Sequence, residues 1–327
     1  MTQRVEKPLD ISVAIICHNQ ERYIKQTIES VLEQSAQQVI GQIVIVDDCS
    51  TDGTAQAADS LAESDPRIEV VRRRTNSGGG AVPRNDAIAR CRGTHIAFLD
   101  GDDLWLPDKL AHQLTALRQY PETGILFSDF IEFDDQTGQE RLVRARRYTA
   151  TDRHQLRAFF VHGGPILPST AIVSRLAIET TGQFDPSLRF NEESEYWMRM
   201  LCAYPIHHQP VALIRKRKWF GSLGSSKFGL ENIDCKREIT RRMVSRVADL
   251  QAVEAQRTAQ IELKTAVHYF DTGQAAQARP YLREALQQNA ALHKARLFLA
   301  LSYLSADPDR LLRLLRQARN MIPAVLR

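Results

Sequence analysis

Short apolar runs rich in β-branched residues alternate with amphipathic stretches over the first hundred residues. Ile11–Cys17 (ISVAIIC), Ile43–Val46 (IVIV), Ile68–Val71 and Thr94–Leu99 (THIAFL) read as buried strands. Between them, Glu21–Gln34, Thr54–Glu63 and Val82–Cys91 read as helices. The first of these puts Ile24, Ile28, Val31 and Leu32 on one face. The second has N-cap candidates from Ser50 to Thr54. This alternation predicts an α/β fold with a parallel, doubly wound sheet covered on both faces. In such sheets ligands sit beyond the carboxyl ends of the strands.

The polar residues that follow each strand are therefore the informative ones. They are His18 and Asn19; Asp47 and Asp48 with CSTDGT; Asn76–Gly80 (NSGGG) with Arg84; and Asp100, Asp102 and Asp103. One rim thus gathers acids, glycines and an arginine. Further on, Ile125–Phe133 predicts a strand, RLVRARR (141–147) a basic edge or loop, and PILPSTAIVS (165–174) a loop and then a strand. The end of FDPSLRFNEESEYWMRML (184–201) is helical by pattern, and a flexible Gly221–Gly229 follows.

Beyond about Asn232 the chain is helical throughout, rich in Ala, Leu, Gln and Arg. Ala266 and Ala300 are 34 residues apart, as are Tyr269 and Tyr303. With Gly273, Ala278, Leu282 and Ala285 these spacings resemble a tetratricopeptide repeat. An ordinary helical hairpin stays open as the alternative, because Arg316 and Arg319 occupy apolar positions of the second copy. The expected organisation is a domain at 1–230, with halves of about 1–110 and 111–230, and a helical extension at 231–327.

Composition narrows the class. Hydrophobic content of 43% and charged content of 25% are ordinary for a globular protein. The formal charge of +4 is small. Residues 231–327 carry 16 Lys/Arg against 10 Asp/Glu, and the remainder is slightly acidic. A nucleic-acid partner is not expected from so weak a basic footprint. Lys236, Arg237, Arg241, Arg242 and Arg246 make one tail helix basic, which suggests a protein partner, self-association or peripheral contact with a membrane surface. The five cysteines form no CxxC pair, and the polar start and lack of a long apolar run predict a cytoplasmic protein. His207 and His208 suggest a polar turn, and Trp105 and Trp197 core positions.

Asp100 and Asp102, with Gly101 between them, form D-x-D. Two carboxylates on a tight turn can serve a hard divalent cation such as Mn²⁺ or Mg²⁺, which keeps phosphate oxygens in its shell. Asp47 is balanced between function and a cap of the following turn. Asp103 reads as a cap of the helix in LWLPDKL.

Together, VDDCSTDGT, PRN and FLDGDDLW, bounded by SVAIICHNQERYI and FDPSLRFNEESEYWMRM, resemble the family-2 glycosyltransferases. The likeness spans about residues 11–225. It implies a GT-A fold, a Rossmann-like nucleotide half with a mixed, mostly parallel sheet joined to an acceptor half. It also implies inverting, cation-dependent transfer of a sugar from a nucleotide diphosphate, UDP first among them. The acceptor would be a glycan, a lipid-linked glycan or a protein, and the setting bacterial surface polysaccharide or glycoconjugate synthesis. Residue by residue, Asp48 would accept from the base. Backbone around Ile16, Cys17 and His18, with Asn19 beside it, would flank the base. Arg84 would approach the base or diphosphate, Asp100 would hold the ribose or a metal-bound water, and Asp102 would ligate the metal.

Inverting transfer needs one base to take the acceptor's proton. Alignment on Trp197 and Arg199 puts Glu193 at the position where the family has Asp, with Glu192 as helper or runner-up. In RKRKWFGSLGSS, Arg217 matches the family's arginine, but Trp219 stands where His is common, so the resemblance implies that the His contact to diphosphate or metal is absent and that Arg217 or Lys218 substitutes for it electrostatically. Two other readings stay open: a catalytically inactive scaffold working through its tail, and a nucleotidyltransferase.

Overall fold

The computed structural model describes residues 9–145, 152–163, 166–219 and 229–304. The chain forms two compact units, Met1–Phe159 with Gly163–Ser222, and Phe160–His162 with Leu223–Arg327. Residues 220–228, where the sequence suggests a flexible boundary, lie outside the described residues.

Four parallel strands open the first unit. β1 (Ile11–Cys17), β2 (Ile40–Asp47), β3 (Ile68–Arg72) and β4 (His95–Asp100) lie in the order β3–β2–β1–β4. Ile15 is paired with Ile45 on one side and Leu99 on the other, in a layer closed to water. Helices α1 (Ile24–Leu32), α2 (Thr54–Ala62) and α3 (Ala81–Arg90) connect the strands. Ile24, Ile28 and Val31 pack against Ile11, Val13, Ile15 and Ile43, so the apolar stripe of α1 covers the β-branched face of the sheet.

The first helix starts three residues later than its periodicity predicts, for a local reason. Asn19 has a left-handed backbone (φ 51°). The next two amides are spent on the 50–54 loop, Gln20 N–H on Thr54 Oγ1 (2.7 Å) and Glu21 N–H on Asp52 (3.2 Å). These loop contacts satisfy two amides that have no partner in a helix, and the first turn closes on the Gln20 carbonyl through the Tyr23 (2.8 Å) and Ile24 (2.9 Å) amides.

The second half continues the same sheet. β5 (Leu104–Trp105), β6 (Ile125–Asp134), β7 (Glu140–Val143), β8 (Ile172–Ser174) and β9 (Ile206–Lys218) extend it as β4–β8–β6–β9–β5, with β7 on β6. Only β6–β9 is parallel here. Its helices are α4 (Lys109–Gln119), α5 (Asp152–His162), α6 (Arg175–Thr181) and α7 (Glu192–Leu201). Trp105 and Trp197 are core residues whose indole N–H groups reach the carbonyls of Ser169 and Ile166. His207 and His208 are not in a turn but within β9. His207 stacks on Tyr120 and His208 contacts Asp129 at 2.7 Å, so ring packing holds them in the strand.

The second unit is helical: α8 (Gly229–Arg246), α9 (Glu254–Asp271), α10 (Ala275–Gln288) and α11 (His293–Leu304). Gly273, at φ 74°, turns α9 into α10, and Gln274 N–H closes the turn on the Tyr269 carbonyl (2.7 Å). Ala266, Phe270, Ala278, Leu282 and Ala285 then form one core with Ala295 and Phe298 of α11. Most of a second 34-residue copy lies outside the described residues. The basic face of α8 is largely neutralised: Arg237 pairs with Glu262 and Asp234, and Arg241 and Arg242 both pair with Glu238. No helix among the described residues is long and apolar enough to cross a membrane.

Candidate active site

The turn after β4 is built from the backbone outward. Asp100 N–H donates to Ser169 Oγ (3.1 Å) and Gly101 N–H to the Ile16 carbonyl (2.9 Å). The buried Thr27 hydroxyl lies 3.0 and 2.9 Å from the Gly101 and Asp103 carbonyls, and Arg217 Nε donates to the Asp102 carbonyl (3.0 Å). A side chain at position 101 would stand 2.8 Å from Cys17 Cβ and 3.0 Å from the Ile16 carbonyl, so the turn requires glycine. With the backbone held, little but side-chain torsion is left to the acids.

The three acids have different surroundings. Asp103 is not a helix cap. Its buried carboxylate accepts from the Arg217 amide (3.0 Å) and the Ser169 hydroxyl (2.6 Å), while α4 is preceded by Asp108. Burial, then Asp102 and Asp100, push its pKa well above the ordinary carboxylate range. Asp102 is half-buried, and Trp219 Nε1 donates to its Oδ2 at 2.6 Å. Burial and the nearby Asp100 raise the Asp102 pKa too. Asp100 faces the buried Arg84, whose Nη2 lies 2.7 Å from Oδ1.

Arg84 joins the two halves of the sheet. Its Nη1 donates to Glu192 Oε1 (2.8 Å) at the start of α7 while Nη2 holds Asp100. Both carboxylates face it, which raises its pKa against a desolvation that lowers it. A side chain at Gly80 would come within 2.5 Å of Glu192 Oε1 and closer still to Arg84, so the NSGGG glycine leaves room for the bridge. Arg84 is therefore not extended over the rim toward a base; its planar fork is shared by two acids. Burial and Glu193, partly offset by Arg84, push the Glu192 carboxyl up to about 8. Glu193 is half-buried, with no hydrogen bond or ion pair among the described residues.

A second group of candidates lies at the ends of β1 and β2. The buried Asp48 carboxylate accepts from the Ser77 amide (3.0 Å) and hydroxyl (2.7 Å), with Arg73 Nε at 3.3 Å. The Ser77 amide also lies 3.2 Å from the other oxygen, so Ser77 grips both oxygens of the carboxylate. His18 is exposed, with Nδ1 2.9 Å from the Asp48 carbonyl, and Asn19 Oδ1 accepts from the Thr51 amide (2.8 Å). The Ile16 and Cys17 carbonyls accept from Gly101 and Asp48, stitching the rim together. The Cys17 thiol is buried and pushed up by burial, a core group rather than a nucleophile. Asp47 caps the following turn through the Ser50 amide and hydroxyl.

Arg217 is placed differently from the ligand contact that the resemblance implies. Its guanidinium is buried between the rings of Tyr23 (4.4 Å) and Phe133 (4.7 Å) and is spent on Asp135, Gln26 and the Asp102 carbonyl. It supports the D-x-D turn from behind. Ser169 and Thr27 are supporting residues that sequence reasoning missed, and for Ser77 and Trp219 it marked the position but not the partner, since nothing in their spacing reveals it.

No group of three or more His, Cys, Asp or Glu side chains among the described residues forms a ready metal cage. The carboxylate pair nonetheless suits a hard cation. Mg²⁺ is commonly held by one or two carboxylates together with substrate phosphates and water. Asp102 Oδ1 has no side-chain donor among the described residues.

Comparison with known proteins agrees with this architecture. The family model of glycosyl transferase family 2 matches residues 12–180. The chain belongs to glycosyltransferase family 2, and is a glycosyltransferase with the GT-A fold. It is 34% identical over 196 residues to TuaG of Bacillus subtilis, a protein named as a teichuronic acid biosynthesis glycosyltransferase; the match covers 60% of this chain and 73% of that protein. Among solved structures, TarS 1–349 of S. aureus with UDP-GlcNAc is similar at a TM-score of 0.63 and 19% identity, over 90% of this chain and 89% of that one. Mannosyltransferase PcManGT of Pyrobaculum calidifontis, with GDP-Man and Mn²⁺, is similar at 0.59 and 18%, over 93% and 86%.

Proposed function

We propose that the chain transfers a sugar, with inversion, from a nucleoside-diphosphate donor, in the first instance a UDP-sugar, to a hydroxyl of a glycan, lipid-linked or protein acceptor. The product would belong to bacterial surface polysaccharide or glycoconjugate synthesis, with the enzyme in the cytoplasm or at the inner face of the membrane. The observation that carries this reading is Glu193, unpaired among the described residues, beside Glu192, which Arg84 ties to the D-x-D turn. A single carboxylate without a protein partner is what proton abstraction from an acceptor needs.

In this reading Glu193 takes the acceptor proton. Glu192, fastened to Arg84, fixes the start of α7 and holds Glu193 near the turn. Asp48 accepts the N3–H of the base, uracil in the first instance. Asp102, with Asp100, would hold Mn²⁺ or Mg²⁺, and such a cation stabilises the charge that builds on the leaving diphosphate. The paired arginines of α8 favour a protein contact over a membrane for the helical unit; salt-sensitive flotation with anionic liposomes would reverse that preference.

The deciding experiment is thermal unfolding with UDP, GDP, CDP and TDP, each with and without Mn²⁺. A ligand at 100 times its dissociation constant adds about 2.7 kcal/mol, a shift of several degrees. A Mn²⁺-dependent shift with one nucleotide supports the reading and fixes the donor class. No shift with any nucleotide refutes it.

A further inference from the structure

Trp219 stands where the family commonly has a ligand-facing histidine. An indole N–H can only donate, so Trp219 cannot ligate a cation. Its Nε1 lies 2.6 Å from Asp102 Oδ2, and its ring packs on Tyr23 with centroids 5.6 Å apart. Tyr23 is itself held by the stacked Arg217 and a bond to Asp135 (3.4 Å). The indole therefore comes from a braced platform.

The rest of the turn has no freedom to give. The carbonyls of residues 101, 102 and 103 and the amides of 100, 101 and 103 all have partners within the unit. Arg84 holds the Asp100 carboxylate, so rotation of the Asp102 carboxylate is the motion left to change how many oxygens face a cation, and Trp219 is the group that opposes it. We propose that Trp219 is a positioning residue that fixes the rotation of the Asp102 carboxylate so that Oδ1 is the oxygen presented to a cation, and so sets which divalent cation the site accepts. The proposal rests on the reading of Asp102 as a cation ligand. Mg²⁺, and Mn²⁺ in similar oxygen-rich sites, are satisfied by single carboxylate oxygens in octahedral geometry. Ca²⁺ takes more oxygens and commonly uses a carboxylate through both. Fixing the carboxylate with Oδ2 turned to Trp219 disfavours ligation through both oxygens, and therefore discriminates against Ca²⁺ without any added ligand.

The test is calorimetric titration of Mn²⁺ and of Ca²⁺ into the full chain saturated with UDP, comparing the native protein with Trp219→Phe. Phenylalanine keeps a ring against Tyr23 and removes only the donor. The native chain should prefer Mn²⁺, and W219F should reduce the Mn²⁺/Ca²⁺ ratio by about tenfold, the scale on which outer hydrogen bonds tune metal sites. Most of that change should come from tighter Ca²⁺ binding, with the unfolding temperature unchanged. An unaltered ratio in folded W219F overturns the proposal while leaving the glycosyltransferase reading intact. If the native chain takes up neither cation with UDP, both this proposal and cation dependence fall. Should W219F not fold, Tyr23→Leu loosens the same indole from its platform and should move the ratio the same way; no movement there overturns the proposal equally.

Discussion

Arg84 donates to Glu192 at 2.8 Å across 108 residues of sequence. Its other terminal nitrogen holds Asp100 at 2.7 Å. One guanidinium thus links the end of a parallel strand, where a donor would bind, to the helix that carries the candidate base. The bridge makes a charge network out of what the sequence shows as separate motifs, and its removal is the most direct perturbation.

Replacing Arg84 with Met should cost about 3–5 kcal/mol, because it strips the buried Glu192 and the half-buried Asp100 of the cation both of them face. Urea unfolding would show the loss. Arg84→Lys should recover only part of it, since an ammonium group lacks the planar fork that reaches both acids.

Glu193→Gln should leave nucleotide binding intact and lower transfer by on the order of 10²- to 10⁴-fold, the usual contribution of a positioned base. Single-turnover transfer and nucleotide calorimetry on the same preparation separate the two effects. Full transfer by this variant would remove Glu193 from the role and pass it to Glu192.

Stability should fall as pH rises from about 4.5 to about 8. The Glu192 carboxyl is raised from 4.5 to about 8 in the folded chain, chiefly by burial. In that interval the folded state keeps a proton that the unfolded state has released, so raising pH favours unfolding. Glu192→Gln keeps an acceptor for Arg84 but has no proton to lose. Urea midpoints measured from pH 4.5 to 9 should slope downward in the native chain and be flatter in E192Q.

Neighbouring acids of the turn should behave oppositely. Asp103→Ala strips two donors, the Arg217 amide and the Ser169 hydroxyl, of their acceptor. Each buried orphan costs about 1–3 kcal/mol, so unfolding should show a large destabilisation. Asp102→Ala should change stability much less and instead abolish the Mn²⁺ dependence of nucleotide binding.

Gly80→Ala tests the bridge without altering a charge. The new methyl group would press on Glu192 and Arg84, and overpacking of this kind costs about 1–3 kcal/mol. Transfer should fall further than stability, because the groups displaced are those that set the start of α7.

Much of the donor half is legible in order along the chain. β1 to β4 are short apolar runs, and a strand buried on both faces needs apolar side chains at nearly every position. The rim residues are legible as well, since polar groups after such strands fall at the carboxyl end of the sheet. Asp100, Asp102, Arg84 and Glu192 could be picked out singly from their motifs, and the structure brings them together. Periodicity misjudged the start of α1 because residues 21–23 form a turn closed on the Gln20 carbonyl and tied to the loop after β2 through the amides of Gln20 and Glu21. It misjudged His207 and His208 because strand membership there depends on the rings of Tyr120 and Phe127.

By itself the sequence determined the alternation of elements, the acids at the strand ends and the identity of the family, because each is carried by neighbours within about ten residues. Only the tertiary structure decided how the charges are used. Asp103 became a buried acceptor, Arg217 a brace behind the turn, and Trp219 the donor to Asp102, while Glu193 has no hydrogen bond or ion pair among the described residues. The reason is physical. A buried charge or donor takes its role from whichever group desolvation leaves within about 3 Å, and chain folding alone brings residues 84 and 192, or 102 and 219, to that distance.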